Sequence, residues 1–552
     1  MQHAERIGVP SAHLIERFAR SQRNIDCLQS LLRQCHLRHS LCSLGIIETL
    51  ERKYYERYGS FGQPKRLVDV TMHDSSKVRV IEVKDSPEYS TLSYCWGSNN
   101  QFLTTKDNLS QMEQGIEISR LCPAIQDAIF ITRNLHVRFL WVDALCIIQE
   151  GDEGKDWREQ GQIMGLIYAR SCVTLAAAST GDCGKSFLDE PRRPVFVKMP
   201  FREKPQSPEG GSILLEIPKF DFTEDFEENV YGSALAKRAW AMQERMFSPR
   251  TIHFTSTQIY WECRNLFWAE DGEATDALGY DGSHRASAFL DSISNALIMC
   301  TAEGDSSYKK DSGIFLFLSV WCDVVKEYST MDLTYPSDRL PAIAGLAHLA
   351  SLAVPGAYLS GLWECDLANG LLWTAREYPM ALPSTKSAPS WSWASTVSPV
   401  HMCCRQFMGC YDSCIFFQQV SLGHDGMEIL EVQGKLHECS ISQQAEPQHR
   451  PRKWKEQMME YGSKSPSYRF WPAGLEEGMS NESNICRFDR NEEMSARFFF
   501  LPLACSGHQF EHCRGLLLKE DRSNLGVYRR CGIGWASHSV WHNVCHSLIK
   551  IA

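Results

Sequence analysis

The sequence predicts an α/β protein: a mostly parallel sheet flanked by helices, with a helical segment before it and a mixed α+β region after it. Two observations carry that expectation. The run from Tyr89 closes on Ser93-Tyr94-Cys95-Trp96-Gly97, and the run from Leu140 closes on Asp143-Ala144-Leu145-Cys146-Ile147-Ile148-Gln149. Each is a short apolar stretch ending in polar and aromatic groups, as a buried parallel strand ends at a site on its carboxyl edge. The second observation is the alternation of strand-like and helix-like patterns between 65 and 180, which calls for crossover connections and hence parallel pairing.

Taken in order, residues 1–64 read as helical, with Leu28, Leu31, Leu32 and Cys35 at helical spacing. Stretches 78–83 and 89–95 read as strands. Pro123 opens a helix, where its missing N–H costs nothing, and Ile125, Ala128, Ile129, Thr132 and Leu135 supply the apolar face. A strand over 138–146, an amphipathic helix over 156–170 and a buried strand over 172–178 complete the pattern. Residues 189–234, rich in Pro, Gly, Asp and Glu, read as an insertion around a strand at 212–217. A helix follows over 235–247, stopped by Ser248-Pro249, and then strands at 251–254 and 258–263. The core domain is therefore 65–270. A helical region covers 271–384, with helices expected over 286–330 and 337–353, the latter capped by Ser337-Asp338. Residues 385–552 form a strand-rich mixed region in which 443–483 reads as a loop.

At 552 residues the chain exceeds one hydrophobic core. Its net charge of −10, with no block of Lys or Arg, argues against nucleic acid as a partner. No stretch approaches the roughly 20 apolar residues of a membrane span, and the first residues lack the apolar core of a secretory signal. The 22 cysteines are spread widely, as reduced thiols in a reducing compartment would be. The expectation is a soluble, cytoplasmic chain, with the nucleus left open.

Three motifs invite a functional reading. Gly181-Asp182-Cys183-Gly184-Lys185-Ser186 follows a buried strand like a phosphate loop, but Ser179 stands where that pattern needs Gly and no helix follows. Cys35-x3-His39-x2-Cys42 gathers three zinc-type ligands without a fourth, and His401, Cys403, Cys404, Cys410 and Cys414 lack paired knuckle spacing. No metal centre is assigned to either. In the helix over 235–247, Trp240 and Glu244 stand at i and i+4 on one face, with Phe247 beyond. Spacing alone favours packing for the two rings, and pairing of Glu244 with Arg238 or Arg245.

Leu92-Ser93-Tyr94-Cys95-Trp96-Gly97, Trp141 to Gln149, Met164-x2-Ile167-Tyr168 and Arg238 to Arg245 resemble, in order and spacing, the successive blocks of the fungal heterokaryon incompatibility (HET) domain. The resemblance spans about 65–265, departs at Ala241 and Glu150, and extends to flanking pieces such as Asp338 to Leu346 and Ala388 to Ser395. It implies a role in fungal non-self recognition leading to programmed cell death, with a protein partner and self-association. It also implies a fold like that of Toll/interleukin receptor (TIR) domains, of flavodoxin-like type. Enzymatic TIR members cleave NAD with a helical glutamate four residues after a Trp, the spacing that joins Trp240 to Glu244 here. The expected site is therefore Glu244 as the catalytic carboxylate of an NAD glycohydrolase, with Ser93, Tyr94, Trp96, Asp143 and Trp240 as substrate contacts. NAD is then a substrate, and no bound cofactor is expected. The competing expectation is a non-enzymatic module that signals by assembly.

Overall fold

The computed structural model describes residues 15–39, 42, 52–53, 55–56, 63–85, 87–97, 102–192, 196–201, 211–216, 222–276, 292–293, 296, 307–402, 412–423, 426–442, 467–474, 484–490, 492, 496–506, 512–521, 523–537 and 545–552. It divides into two compact units, Met1–Leu290 and Asp291–Ala552.

The first unit begins with α1 (Gln22–Arg38), whose first turn is capped by the Ser21 hydroxyl accepting from the Asn24 N–H. Ile25, Leu28, Leu31, Leu32 and Cys35 form its buried stripe. There follow β1 (Arg66–Asp69), β2 (Lys77–Glu82), β3 (Tyr89–Ser93), β4 (Ile116–Glu117), α2 (Pro123–Asn134), β5 (Phe139–Trp141), α3 (Lys155–Gln162), α4 (Met164–Arg170) and β6 (Val173–Ala176). A separate hairpin, β7 (Phe196–Phe201) and β8 (Gly211–Glu216), precedes α5 (Ala239–Phe247). The unit closes with β9 (Arg250–Phe254), β10 (Ile259–Cys263), β11 (Leu266–Ala269) and β12 (Ala274–Asp276).

Among the described residues one ten-stranded sheet runs β12-β11-β10-β9-β6-β3-β5-β1-β2-β4. Its centre is parallel: β3 pairs with β5 and with β6, and β6 pairs with β9. The remaining pairings are antiparallel. The expectation of a mostly parallel sheet is thereby corrected. Parallel neighbours require a long crossover, whereas β9 to β12 and β1 to β2 are joined by short turns that only antiparallel strands can use. Within the parallel core the chain runs from β3 to β5 on one side, then to β6 on the other, so the order reverses at β3. Every residue of β3, β6 and β9 is buried, as strands covered on both faces are.

Two local expectations also change. The strand expected over 138–146 stops at Trp141, and Asp143–Cys146 is a helical turn. The helix expected over 156–170 breaks at Ile163 into α3 and α4. The break lets α4 meet α5: a Cβ on Gly165 would stand 2.4 Å from the Phe247 ring.

In the second unit, α6 (Ser307–Tyr328) and α7 (Pro341–Ala350) lie within the region expected to be helical. Ser337 and Asp338 fall in a 3-10 turn, Pro336–Arg339, rather than capping α7, which Pro341 opens. Besides short two-residue strands, the strands are β13 (Phe416–Leu422), β14 (Glu428–Gly434), β15 (His437–Ile441), β16 (Tyr468–Pro472), β17 (Ile485–Phe488), β18 (Phe498–Ser506), β19 (His512–Glu520), β20 (Val527–Ser537) and β21 (Ser547–Ile551). Six of them close on themselves in the order β15-β16-β17-β20-β19-β18, a β-barrel whose last strand pairs back with β15. Phe470, Phe488, Phe498, Phe500, Cys486 and Leu517 fill its interior. Register shifts at Pro502/Ala504 and Leu517/Leu518 mark bulges that bend the strands into closure. A barrel is thus the content of the region expected as mixed α+β. The loop expected over 443–483 contains strand β16, and 443–466 and 475–483 lie outside the described residues. No described helix is long and apolar enough to cross a membrane.

Candidate active site

The site is assembled at the carboxyl end of β3. Alternate residues of a strand face opposite sides of the sheet, and β3 uses this to hold two acids. Ser90 faces α2, where its hydroxyl meets that of Thr132 at 2.8 Å. Tyr89 faces α4, donating to the Ile167 carbonyl at 2.7 Å. Ser93 lies on the Tyr89 face, and its hydroxyl donates to the carboxyl of Glu244 on α5. Tyr94 follows on the opposite face, and its phenol hydrogen-bonds Asp143.

Glu244 is 8% exposed and forms no ion pair among the described residues. Desolvation lifts its pKa to about 7, against the opposing hydrogen bond from Ser93 and the charge of Arg238. Tyr168 of α4 is a further hydrogen-bond partner, and its hydroxyl also lies 3.0 Å from the Leu92 carbonyl. The neighbouring Arg245 is committed elsewhere: its Nε and Nη2 each meet the Glu262 carboxylate at 3.0 Å. Burial alone would raise the Glu262 pKa, yet Arg245 and His253 hold it at about 2. Pairing of Glu244 with Arg245, one of the expectations from spacing, is therefore not what the fold does.

Asp143, the first residue of the helical turn after β5, accepts the Trp96 indole N–H at 2.9 Å and the Ala144 N–H at 2.7 Å. Desolvation raises its pKa. Arg238 donates to the Tyr94 carbonyl and lowers the proton affinity of both acids from that position. The chain between these contacts is tight: Gly97, at φ 71°, lies where a Cβ would meet the Asp182 carboxylate at 2.6–2.9 Å, so only glycine fits.

The six expected residues thus fall into three groups. Ser93 and Glu244 meet directly, and Tyr94 and Trp96 meet at Asp143. Trp240, half-buried, packs edge-to-face on Trp157 with ring centroids 5.6 Å apart. Phe247 is wholly buried core. Tyr168 and Arg238 belong to the site by contact and were not among the site residues expected from the sequence, where Arg238 was read as a candidate ion-pair partner of Glu244. The signal for Tyr168 was present, since it closes the Met164-x2-Ile167-Tyr168 block, but a tyrosine on an apolar helical stripe reads as packing. Beside Ser93 lies a hollow of about 30 Å³ lined by Ala176, Ala241, Arg245 and His253 among others. That is room for water, far below the roughly 300–1,000 Å³ of a cofactor-sized pocket.

The loop that resembled a phosphate cradle is otherwise employed. The Ser186 hydroxyl and the Phe187 and Leu188 N–H groups all donate to Asp127 of α2, at 2.7, 2.8 and 3.2 Å. Of the second cysteine cluster, Cys403, Cys404 and Cys410 lie outside the described residues.

No curated protein and no solved structure matches the chain. The family model described as Heterokaryon incompatibility protein (HET) matches residues 89–244. The matched segment starts at the first residue of β3 and ends on Glu244, so it contains both acids and the strands that bring them together: this chain carries a heterokaryon incompatibility domain.

Proposed function

We propose that this chain acts in fungal non-self recognition and cell death, and that Glu244 is the carboxylate of an NAD glycohydrolase site closed at rest. A heterokaryon incompatibility domain carries a function of the heterokaryon incompatibility type. The observation that supports the chemical step is a buried carboxyl with no cationic partner of its own, held by hydroxyls at the reversal point of the parallel strands. Doubly wound sheets bind their ligands at such a point, and strongly shifted acids concentrate at functional sites. Breaking the bond from ribose to nicotinamide develops positive charge on the sugar. A carboxylate facing that charge binds the transition state more tightly than the ground state, and water then completes hydrolysis. With a pKa of about 7, Glu244 ionises near neutrality. The 30 Å³ hollow requires α5 or its approach to move before a dinucleotide enters, so triggering and opening are one event in this reading.

The small hollow also favours a second reading, in which the domain signals by assembly alone. The two are separated by NAD consumption in cells or extracts expressing the triggered full-length chain. Glu244→Gln is expected to reduce consumption by roughly 10²-fold or more. Equal consumption by both proteins removes Glu244 from the chemistry. Absence of consumption in a chain that still kills leaves assembly as the function.

A further inference from the structure

We propose that Cys35, His39, Cys42 and Cys263 form a structural zinc site that fastens the N-terminal helix to the sheet. The sequence places three of these ligands together at the end of α1, and the fold supplies the fourth from the last residue of β10. The four ligand atoms lie within 4.8 Å of one another. The Cys263 sulfur stands 3.5 Å from His39 Nδ1. A tetrahedral zinc with bonds of about 2.3 Å to sulfur and about 2.0 Å to nitrogen puts its sulfur and nitrogen ligands about 3.5 Å apart. None of the three cysteines is in a disulfide, and all three are buried while His39 is half-buried.

The surroundings suit a metal–thiolate centre rather than three packed thiols. Three thiolates and one zinc carry a net charge of −1, and Arg250 meets it: its Nε donates to the Cys35 sulfur at 3.0 Å. The same guanidinium is locked by the Cys172 carbonyl at 3.2 Å and the Cys42 carbonyl at 3.1 Å. The Arg264 N–H hydrogen-bonds Cys42. Donors aimed at ligand sulfurs are the outer-shell partners that orient and stabilise such centres. A set of Cys3His with all four positions taken by protein is a closed, structural site and leaves no position for a substrate.

The consequence is topological. His39 and Cys263 are 224 positions apart, and the segment matching the family lies wholly between them. Arg250 opens β9 and Cys172 precedes β6, so the centre sits at the amino ends of strands whose carboxyl ends carry the candidate site. Metal binding would therefore clamp α1 across the domain from the far end of the sheet, coupling residues outside the matched segment to its stability.

The full-length chain purified without chelator, under reducing conditions, is expected to contain about one zinc by elemental mass spectrometry. Cys263→Ser should copurify with less than half of that, while Cys27→Ser, one cysteine outside the quartet on the same helix, keeps it. His39→Cys preserves a four-ligand set and should retain both metal and melting temperature. Cobalt added to the metal-free chain should give thiolate-to-metal charge-transfer bands that weaken as each cysteine is replaced. If Cys263→Ser does not fold, the zinc content and cobalt spectrum of the natural chain decide alone. A natural chain without zinc and without a cobalt–thiolate spectrum overturns the proposal, as does zinc that persists undiminished in Cys263→Ser. A disulfide among Cys35, Cys42 and Cys263 in freshly purified protein overturns it equally.

Discussion

Replacing Glu244 by Gln removes a proton-binding group whose pKa the fold lifts from 4.5 to about 7. Below 4.5 the carboxyl is neutral whether the chain is folded or not. As pH rises from there to about 7, the unfolded chain ionises while the folded one keeps its proton, and folding becomes progressively less favourable. Above 7 both forms are ionised and the penalty is constant. The stability tied to this group is thus present below the unfolded pKa and lost as pH rises through the folded one. Each tenfold difference in proton affinity is worth about 1.4 kcal/mol, which makes the full swing about 3 kcal/mol. Asp143 is raised too and contributes with the same sign in both proteins; its charge is one of the causes that raise the Glu244 pKa, so their mutual repulsion belongs to the measured difference. Urea unfolding of the full-length wild type and Glu244→Gln, followed by tryptophan fluorescence at several values between about pH 5 and pH 8, reads that difference. The variant is expected to gain on the wild type by about 2.5 kcal/mol between pH 5 and pH 8, the rest of the swing lying below pH 5. Any loss from a poorer contact between Gln and the Ser93 hydroxyl shifts the offset and not the slope. Stability differences that stay constant across the range would show that the buried carboxyl is not desolvated as described.

Three further outcomes test the packing around this site and in the second unit. Gly165→Ala forces a methyl against the Phe247 ring at 2.4 Å, and thermal unfolding should show a loss of about 1–3 kcal/mol with α4 and α5 pushed apart. Arg192→Met strands the Glu270 carboxylate, whose side chain is 3% exposed, at a cost of about 3–5 kcal/mol in urea unfolding. Adding Glu270→Gln should recover part of it by removing the stranded charge; the Glu16 and Ile259 N–H groups are accepted by separate carboxylate oxygens, and the amide keeps an oxygen for one of them. Phe500→Ala empties the middle of the barrel, where Phe500 is wholly buried, and should lower stability by about 3–5 kcal/mol.

How much of this was legible in the sequence depended on the range of the interaction. The strands at 89–95 and 172–178 and the helix from Pro123 were visible because burial on a strand or on one helical face leaves a periodic trace. The antiparallel flanks were less so: strands at 251–254 and 258–263 were read, but their pairing direction follows from the turn between them, which the pattern of apolar residues does not encode. The barrel shows the same limit, since β16 is a five-residue aromatic run inside a long polar stretch and becomes a strand only through its neighbours β15 and β17.

The sequence by itself determined the local elements, the residues delivered to the end of β3 and the domain to which they belong, because periodicity, capping and block order are written within short spans. Tertiary structure alone decided that Glu244 meets Ser93 and Tyr168 rather than an arginine, that Trp96 serves Asp143 while Trp240 turns to Trp157, and that Cys263 comes to Cys35, His39 and Cys42 from 224 positions beyond His39. The reason is physical. Desolvation, ion pairing and metal coordination depend on distance in space, and a linear pattern carries that distance only within the reach of a turn or a helix.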